Sequence, residues 1–145
     1  MIERYHIRIA HWPRDRELLR QVRKKVFIQE QRVPAALEWD GTDDHALHLL
    51  ALDEAGRPIG TARLLPSGQI GRMAVLKPWR RRGVGSALLQ HLLTEAAKGE
   101  WPDLFLNAQL NALAFYTRHG FHPQGEVFEE AGIPHRRMTR KPTHG

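Results

Sequence analysis

The stretch WRRRGVGSALLQHLL, residues 79–93, runs from a basic cluster through two glycines straight into apolar residues at helical spacing. A helix that starts this abruptly presents the unpaired amides of its first turn, at the positive end of its dipole, with no side chain in the way. Gly83 and Gly85 let backbone N–H groups approach a phosphate, and Arg80, Arg81 or Arg82 supplies countercharge. A pyrophosphate suits this description. The Walker loop needs a Gly-Lys-Ser/Thr ending and the dinucleotide fingerprint needs three spaced glycines after a first strand, so neither ATP nor NAD is favoured. The plain alternative is a solvated basic turn in front of a core helix.

Working outward, residues 86–98 read as that helix, with Leu89, Leu92, Leu93 and Ala96 on one face, ended by Gly99 and followed by Pro102. Upstream, residues 48–53, 58–65 and 69–76 read as strands separated by EAGR and PSG, turn chemistry at hairpin length, which predicts an antiparallel meander. Before them stand an alternating strand, 5–10, a helix over 15–27 carrying Leu18, Leu19, Val22 and Val26, and an acidic loop, 34–44, with room for a short helical turn. Downstream, 103–108 is a buried strand, Asn111 caps a short helix over 112–119, Gly120 ends it, and two extended pieces lie near 121–124 and 134–139. The order β-α-βββ-α-β-α-ββ predicts an α+β fold. Its sheet is mixed and mostly antiparallel, of about seven strands with helices on both faces, in one domain spanning residues 1–145.

Composition narrows the chemistry. The chain has 145 residues, 41% of them apolar, enough for one buried core. It carries 22 Lys and Arg against 16 Asp and Glu, a formal +6 that suits nucleic acid, an anionic membrane face or a small polyanionic ligand. No cysteine is present, which excludes disulfides, thiolate zinc sites and a cysteine-bound intermediate. The nine histidines show no HExxH-like spacing, so no metal is expected. Nothing approaches the roughly 18 apolar residues of a membrane span, and the first residues do not read as a signal peptide, so a cytoplasmic protein without a membrane partner is expected.

Arg80-Arg81-Arg82-Gly83-Val84-Gly85 resembles the Gln/Arg-x-x-Gly-x-Gly/Ala signature of the GCN5-related N-acetyltransferases, the GNAT superfamily. The resemblance extends to GRMAVLKPWRRRGVGSALL, to NALAFYTRHGF and to the element order over nearly the whole chain. VFIQEQRVPAALEWDGTDDHALHLLAL further looks like the ElaA-like or YjcF-like subgroup, through Val26-Phe27, Glu30-Gln31, Val33-Pro34, Glu38 and Asp40. The resemblance implies transfer of an acetyl group from acetyl-CoA to a primary amine. It places the pyrophosphate on amides from Arg81 to Ser86 and the pantetheine along the fourth strand, at Met73, Ala74 and Val75, by main-chain hydrogen bonds. It gives Tyr116 the task of protonating the departing thiolate, and Asn111 a bond to the pantetheine, beside its reading as a cap.

The proton logic for Tyr116 holds independently: a phenol of ordinary pKa near ~10 keeps its proton at neutral pH, whereas a thiol's lies near ~8.5. The competing reading of Phe115-Tyr116 is simple packing. The amine must lose a proton before attack, and candidates are Glu30, Glu38 or water. Glu30, Glu38, Asp40 and Asp44 form an acidic stretch that would draw a cationic amine or be merely a solvated loop. Phe27, Asp40 and His135 are carried to the acceptor side, where a histidine between apolar and basic neighbours also reads as structural. Many relatives carry an acidic residue early in the fourth strand as base; this chain has Gly71 and Arg72 there.

With no cysteine, direct attack in a ternary complex is expected. A CoA-binding sensor without catalysis is the alternative. A nucleic-acid-binding protein, suggested by RRR and by HRRMTRK (135–141), is less favoured, because no recognition helix is evident and aromatics are not interleaved with the basic residues. The acceptor class spans small-molecule and peptide amines, and exposed strand edges near the C-terminus point to a homodimer.

Overall fold

The computed structural model describes residues 4–99, 101 and 103–141. The elements follow the expected order: β1 (Tyr5–Ala10), α1 (Trp12–Arg23), α2 (Ala35–Glu38), β2 (Leu47–Asp53), β3 (Pro58–Leu64), β4 (Ile70–Val75), α3 (Val84–Lys98), β5 (Leu104–Gln109), α4 (Leu113–Arg118), β6 (His122–Glu130) and β7 (Ile133–Arg140). The ladders between these seven strands are antiparallel, and they divide into two sheets, β1-β2-β3-β4 and β5-β7-β6. A single parallel bridge, Gln69 to Phe105, joins them, with the Phe105 N–H donating to Gly68 O at 3.1 Å. Past that bridge β4 bends: its register against β3 slips between Thr61 and Arg63, and Arg72 sits at φ 50°, in the left-handed region. A bulge of this kind turns a strand aside, so β4 and β5 open into a wedge instead of continuing one ladder.

Helices cover both faces of the first sheet. β2 is buried along nearly its whole length because alternate residues serve two cores: Leu49 and Ala51 join the α3 side with Leu88, Leu89 and Leu92, while Leu50 and Leu52 meet Trp12 and Leu19 of α1. α3 starts two residues before the expected Ser86, because Gly83, at φ 82°, lets Val84 turn inward and bury. Gly99 does end α3, though as an extended residue (φ −103°) and not a left-handed one.

α1 starts three residues before the expected Asp15. Pro13 suits the first turn, and the Asp15 carboxylate reaches back to the His11 N–H at 2.9 Å while pairing with Arg8 at 3.0 Å. The Arg8 guanidinium, aided by His11 and Arg14, holds the Asp15 carboxyl well below the usual carboxylate range. A depressed folded pKa gives stability that is complete above the unfolded value and lost as pH falls through the folded one. Asp15→Asn is therefore expected to cost about 1–2 kcal/mol at neutral pH. In thermal melts taken at successive pH values, its deficit against wild type should stay constant above about pH 4 and narrow progressively below it.

Beyond Arg23 the helix continues through a π-helical segment, Lys24–Glu30, which a 3.6-residue pattern does not reveal. Its wider turns bury Val26 and carry Phe27 and Glu30 to the mouth of the wedge.

Candidate functional site

The wedge is a cavity of about 1040 Å³. β4 forms one wall with Met73, Ala74 and Val75, β5 the other with Leu106 to Gln109, and Gly85 closes the end toward α3. Leu76 N–H donates to Ile59 O, and Val75 stands opposite Gly60, so the antiparallel alternation turns the N–H and C=O of Val75 away from β3 and into the wedge. The Val75 carbonyl is taken by Arg80 Nε at 2.9 Å, which leaves its N–H facing the cavity.

That contact engages Arg80, one of the three arginines expected as countercharge, within the protein. Its guanidinium also grips Glu30 with two bonds of 2.6 and 2.7 Å, so it ties β4 to the π-helical segment. The same pairing holds the Glu30 carboxyl below its ordinary range, which makes Glu30 a poor proton acceptor. Arg82 lies over the Trp79 ring, 5.3 Å from its centre. Arg81 lines the cavity, at φ 63°. A non-glycine residue there carries about 1–2 kcal/mol of strain, of the kind tolerated at working sites. The first bond of α3 after this turn is Ala87 N–H to Gly83 O, so the amides of Val84, Gly85 and Ser86 lie outside the helical ladder.

α4 forms the roof. The Tyr116 hydroxyl points at Met73 of β4, 3.7 Å from its Sδ, while its ring meets Phe115 and Phe121 edge to face at 5.1 and 6.0 Å. Packing and placement over the wedge are thus one arrangement, and burial pushes the phenol up to about 12. Asn111 does not cap α4. A 3-10 turn, Leu110–Ala112, intervenes, Ala112 takes the cap position without a side-chain bond, and Asn111 is left lining the cavity.

The acidic stretch has a different character from the one expected. Glu38 is 2% exposed, with Oε1 on Arg23 Nε at 2.7 Å and Oε2 3.0 Å from Arg72 Nε. Asp43 joins Arg23 and Arg63 at 2.8 and 3.1 Å, and Asp40 joins Arg63 and Arg72 at 3.1 Å. Three guanidinium groups and three carboxylates so form a formally neutral cluster, of which Glu38, Asp40, Arg63 and Arg72 line the cavity. Burial lifts the Glu38 carboxyl against the pull of Arg72 and Arg23, whereas for Asp40 and Asp43 the arginine bonds outweigh burial and lower them. With both oxygens of Glu38 occupied, neither it nor Asp40 offers unbalanced negative charge to an amine. Arg23, Arg63 and Asp43 were missed. Arg23 had a local signal, since it shares the buried face of α1 with Leu19 and Val22.

Residues 15–142 match the family model of the acetyltransferase (GNAT) domain. The uncharacterized N-acetyltransferase YjcF of Bacillus subtilis is 37% identical over 123 residues, covering 82% of this chain and 87% of that protein. The crystal structure of Escherichia coli ElaA superposes with TM-score 0.83 at 32% identity over 94% of this chain and 99% of that one. An acyl-CoA N-acyltransferase from Pseudomonas aeruginosa gives TM-score 0.80 at 30% identity over 96% and 99%. The chain belongs to the GNAT acetyltransferases.

It is accordingly an acyltransferase enzyme, of a family whose members use acyl-CoA as co-substrate. The wedge fits such a group: it encloses about 1040 Å³, has a strand amide facing inward, and is lined by Gly85 in the first turn of a helix. The GNAT cavity is also lined by Phe27, packed with Val22, Val26 and Ala74, and by His135, 7% exposed. His48, by contrast, is a structural histidine, buried against Trp12 with Nε2 2.9 Å from Asp43 O, and burial lowers its pKa.

Proposed function

We propose that the enzyme transfers the acetyl group of acetyl-CoA to a primary amine by direct attack within a ternary complex. The observation that carries this reading is the wedge itself, with the Val75 N–H along its wall, the amides of Gly83 to Ser86 at one end and Tyr116 in its lining. Acetyl-CoA, when bound, supplies an activated acyl carbon and a thiolate leaving group. Val75 N–H and Met73 align the pantetheine, and Asn111 bonds one of its amides. Arg81 and the amides from Arg81 to Ser86 hold the pyrophosphate. Tyr116 keeps its proton until the thiolate departs, because burial has raised its pKa well above that of a thiol.

The test is thiol release from acetyl-CoA with a panel of primary amines, combined with intact-protein mass spectrometry. Saturable, amine-dependent release with intersecting initial-velocity lines and no mass gain on the protein is expected. Parallel lines with an acetylated protein would overturn direct attack. Tight binding of acetyl-CoA without release would turn the reading toward a CoA sensor.

A further inference from the structure

We propose that His135 is the general base for the acceptor amine and that Glu130 receives the amine in its ammonium form. The inference rests on the transfer reaction above and supplies the proton acceptor that β4, with Gly71 and Arg72, does not carry.

β6 and β7 join through Ala131 and Gly132, at φ 53° and 76°, a turn that fixes the register Phe128 with His135 and Glu130 with Ile133. Alternation then puts Phe128, Glu130, Ile133 and His135 on one face, and the last three line the cavity. The imidazole is stacked on Phe128, with centroids 6.0 Å apart and planes at 25°, so its orientation is set. Nδ1 lies 2.6 Å from the Ile133 carbonyl oxygen. A carbonyl only accepts, so Nδ1 carries the proton of the neutral ring and Nε2 holds the free lone pair. Nε2 is 3.6 Å from Glu130 Oε2.

Glu130 differs from the other carboxylates of the cavity. Glu30, Glu38 and Asp40 are held by arginines, whereas among the described residues the ion-pair partner of Glu130 is His135, and its side chain is 53% exposed. It is the carboxylate at the mouth with charge to spare. From β5 the residue opposite His135 is Gln109, bonded to Gln31, and the turn Leu110–Ala112 carries no titratable side chain. Arg137 shares this face of β7 and lies over the Phe105 ring, 4.2 Å from its centre, so Glu130 is the charged group that pairs with the imidazole, while Pro134 and Arg136 alternate to the other face.

The step balances. An ammonium settles on Glu130, and His135 Nε2 takes one of its protons, becoming an imidazolium held between Ile133 O and the Glu130 carboxylate. The freed nitrogen lone pair forms the C–N bond as the C–S bond breaks. Tyr116 gives its hydroxyl proton to the thiolate sulfur and recovers the second proton of the amine. One proton per turnover leaves to solvent from His135. The acceptor class is thus a primary amine that arrives as a cation.

The experiment measures kcat/KM against pH for wild type, His135→Gln and Glu130→Gln, with spermidine and a lysine-bearing peptide as probes and acetyl-CoA binding as a folding control. His135→Gln is expected to lose about 10²–10³-fold near pH 7. The loss should shrink as pH approaches the amine's own pKa, near ~10.4, where the acceptor arrives deprotonated. Glu130→Gln should raise KM for the amine about tenfold. A deficit in His135→Gln that is equal at every pH, or no deficit, overturns the base. Long-range ¹H–¹⁵N NMR of the wild type above pH 8 provides a reading that needs no acceptor: Nδ1–H is expected, and an Nε2–H ring overturns the assignment. Absence of thiol release by wild type with every probe would instead overturn the transfer reading, and the base with it.

Discussion

Tyr116→Phe is expected to lower kcat by roughly 10²–10⁴-fold while the Kd for acetyl-CoA stays within about twofold. The change removes one oxygen from a ring whose edge-to-face contacts with Phe115 and Phe121 remain, so the roof of the wedge keeps its shape. What disappears is the proton donor near Met73 Sδ, in the lining of the cavity. Because burial pushes this phenol up to about 12, it is protonated throughout the working range, and no loss of activity from its ionisation is expected below about pH 11. Stopped-flow thiol release measures kcat separately from cofactor binding. Unchanged turnover with intact binding would remove Tyr116 from the chemistry and leave it as packing.

The second large effect falls on stability. Arg23 is 1% exposed and holds Glu38 and Asp43, both buried, and its guanidinium also stands 5.0 Å from the Trp39 ring centre. Arg23→Met leaves the cluster one positive charge short in a low-dielectric setting, an uncompensated burial that costs about 3–5 kcal/mol. For a chain of this length that lowers Tm by roughly 10–15 °C, measurable by calorimetry. Arg23→Met combined with Glu38→Leu should recover part of the loss, because the orphaned charge goes with its partner. Equal Tm values for Arg23→Met and wild type would mean that the cluster contributes nothing to the fold.

Sequence reading reached far where the signal is local. The basic stretch with two glycines, the helical spacing of Leu89, Leu92 and Ala96, and the turn chemistry between β2, β3 and β4 each act within a few residues, and each appears where expected. It fell short where distant segments decide. Arg80 meets Glu30 across 50 positions and Arg63 meets Asp40 across 23, so neither pairing leaves a trace in periodicity, and the acidic loop looked uncompensated. The cap assigned to Asn111 failed because a 3-10 turn takes the positions before α4. β6 extends to Glu130, well past the expected Gln124, by pairing with β7; every one of its residues is exposed, so no apolar alternation marks the extra length. The wedge arises from a bulge at Arg72, a backbone feature that side-chain patterns do not announce.

In the proposed function coenzyme A lies between β4 and β5, where the bulge, the free edge of Val75 and the start of α3 come together. Titration calorimetry with acetyl-CoA, run beside ATP, on wild type and Gly85→Glu tests this most directly. Gly85 is helical, and a Cβ there would meet Phe115 and Val75 at 3.7 and 3.9 Å, ordinary contacts, so the variant folds while its carboxylate enters the cavity. One acetyl-CoA per wild-type chain, little heat with ATP, and binding lost in a variant of unchanged Tm are the predicted results. Acetyl-CoA binding that survives in Gly85→Glu, or is absent from the wild type, would contradict the account.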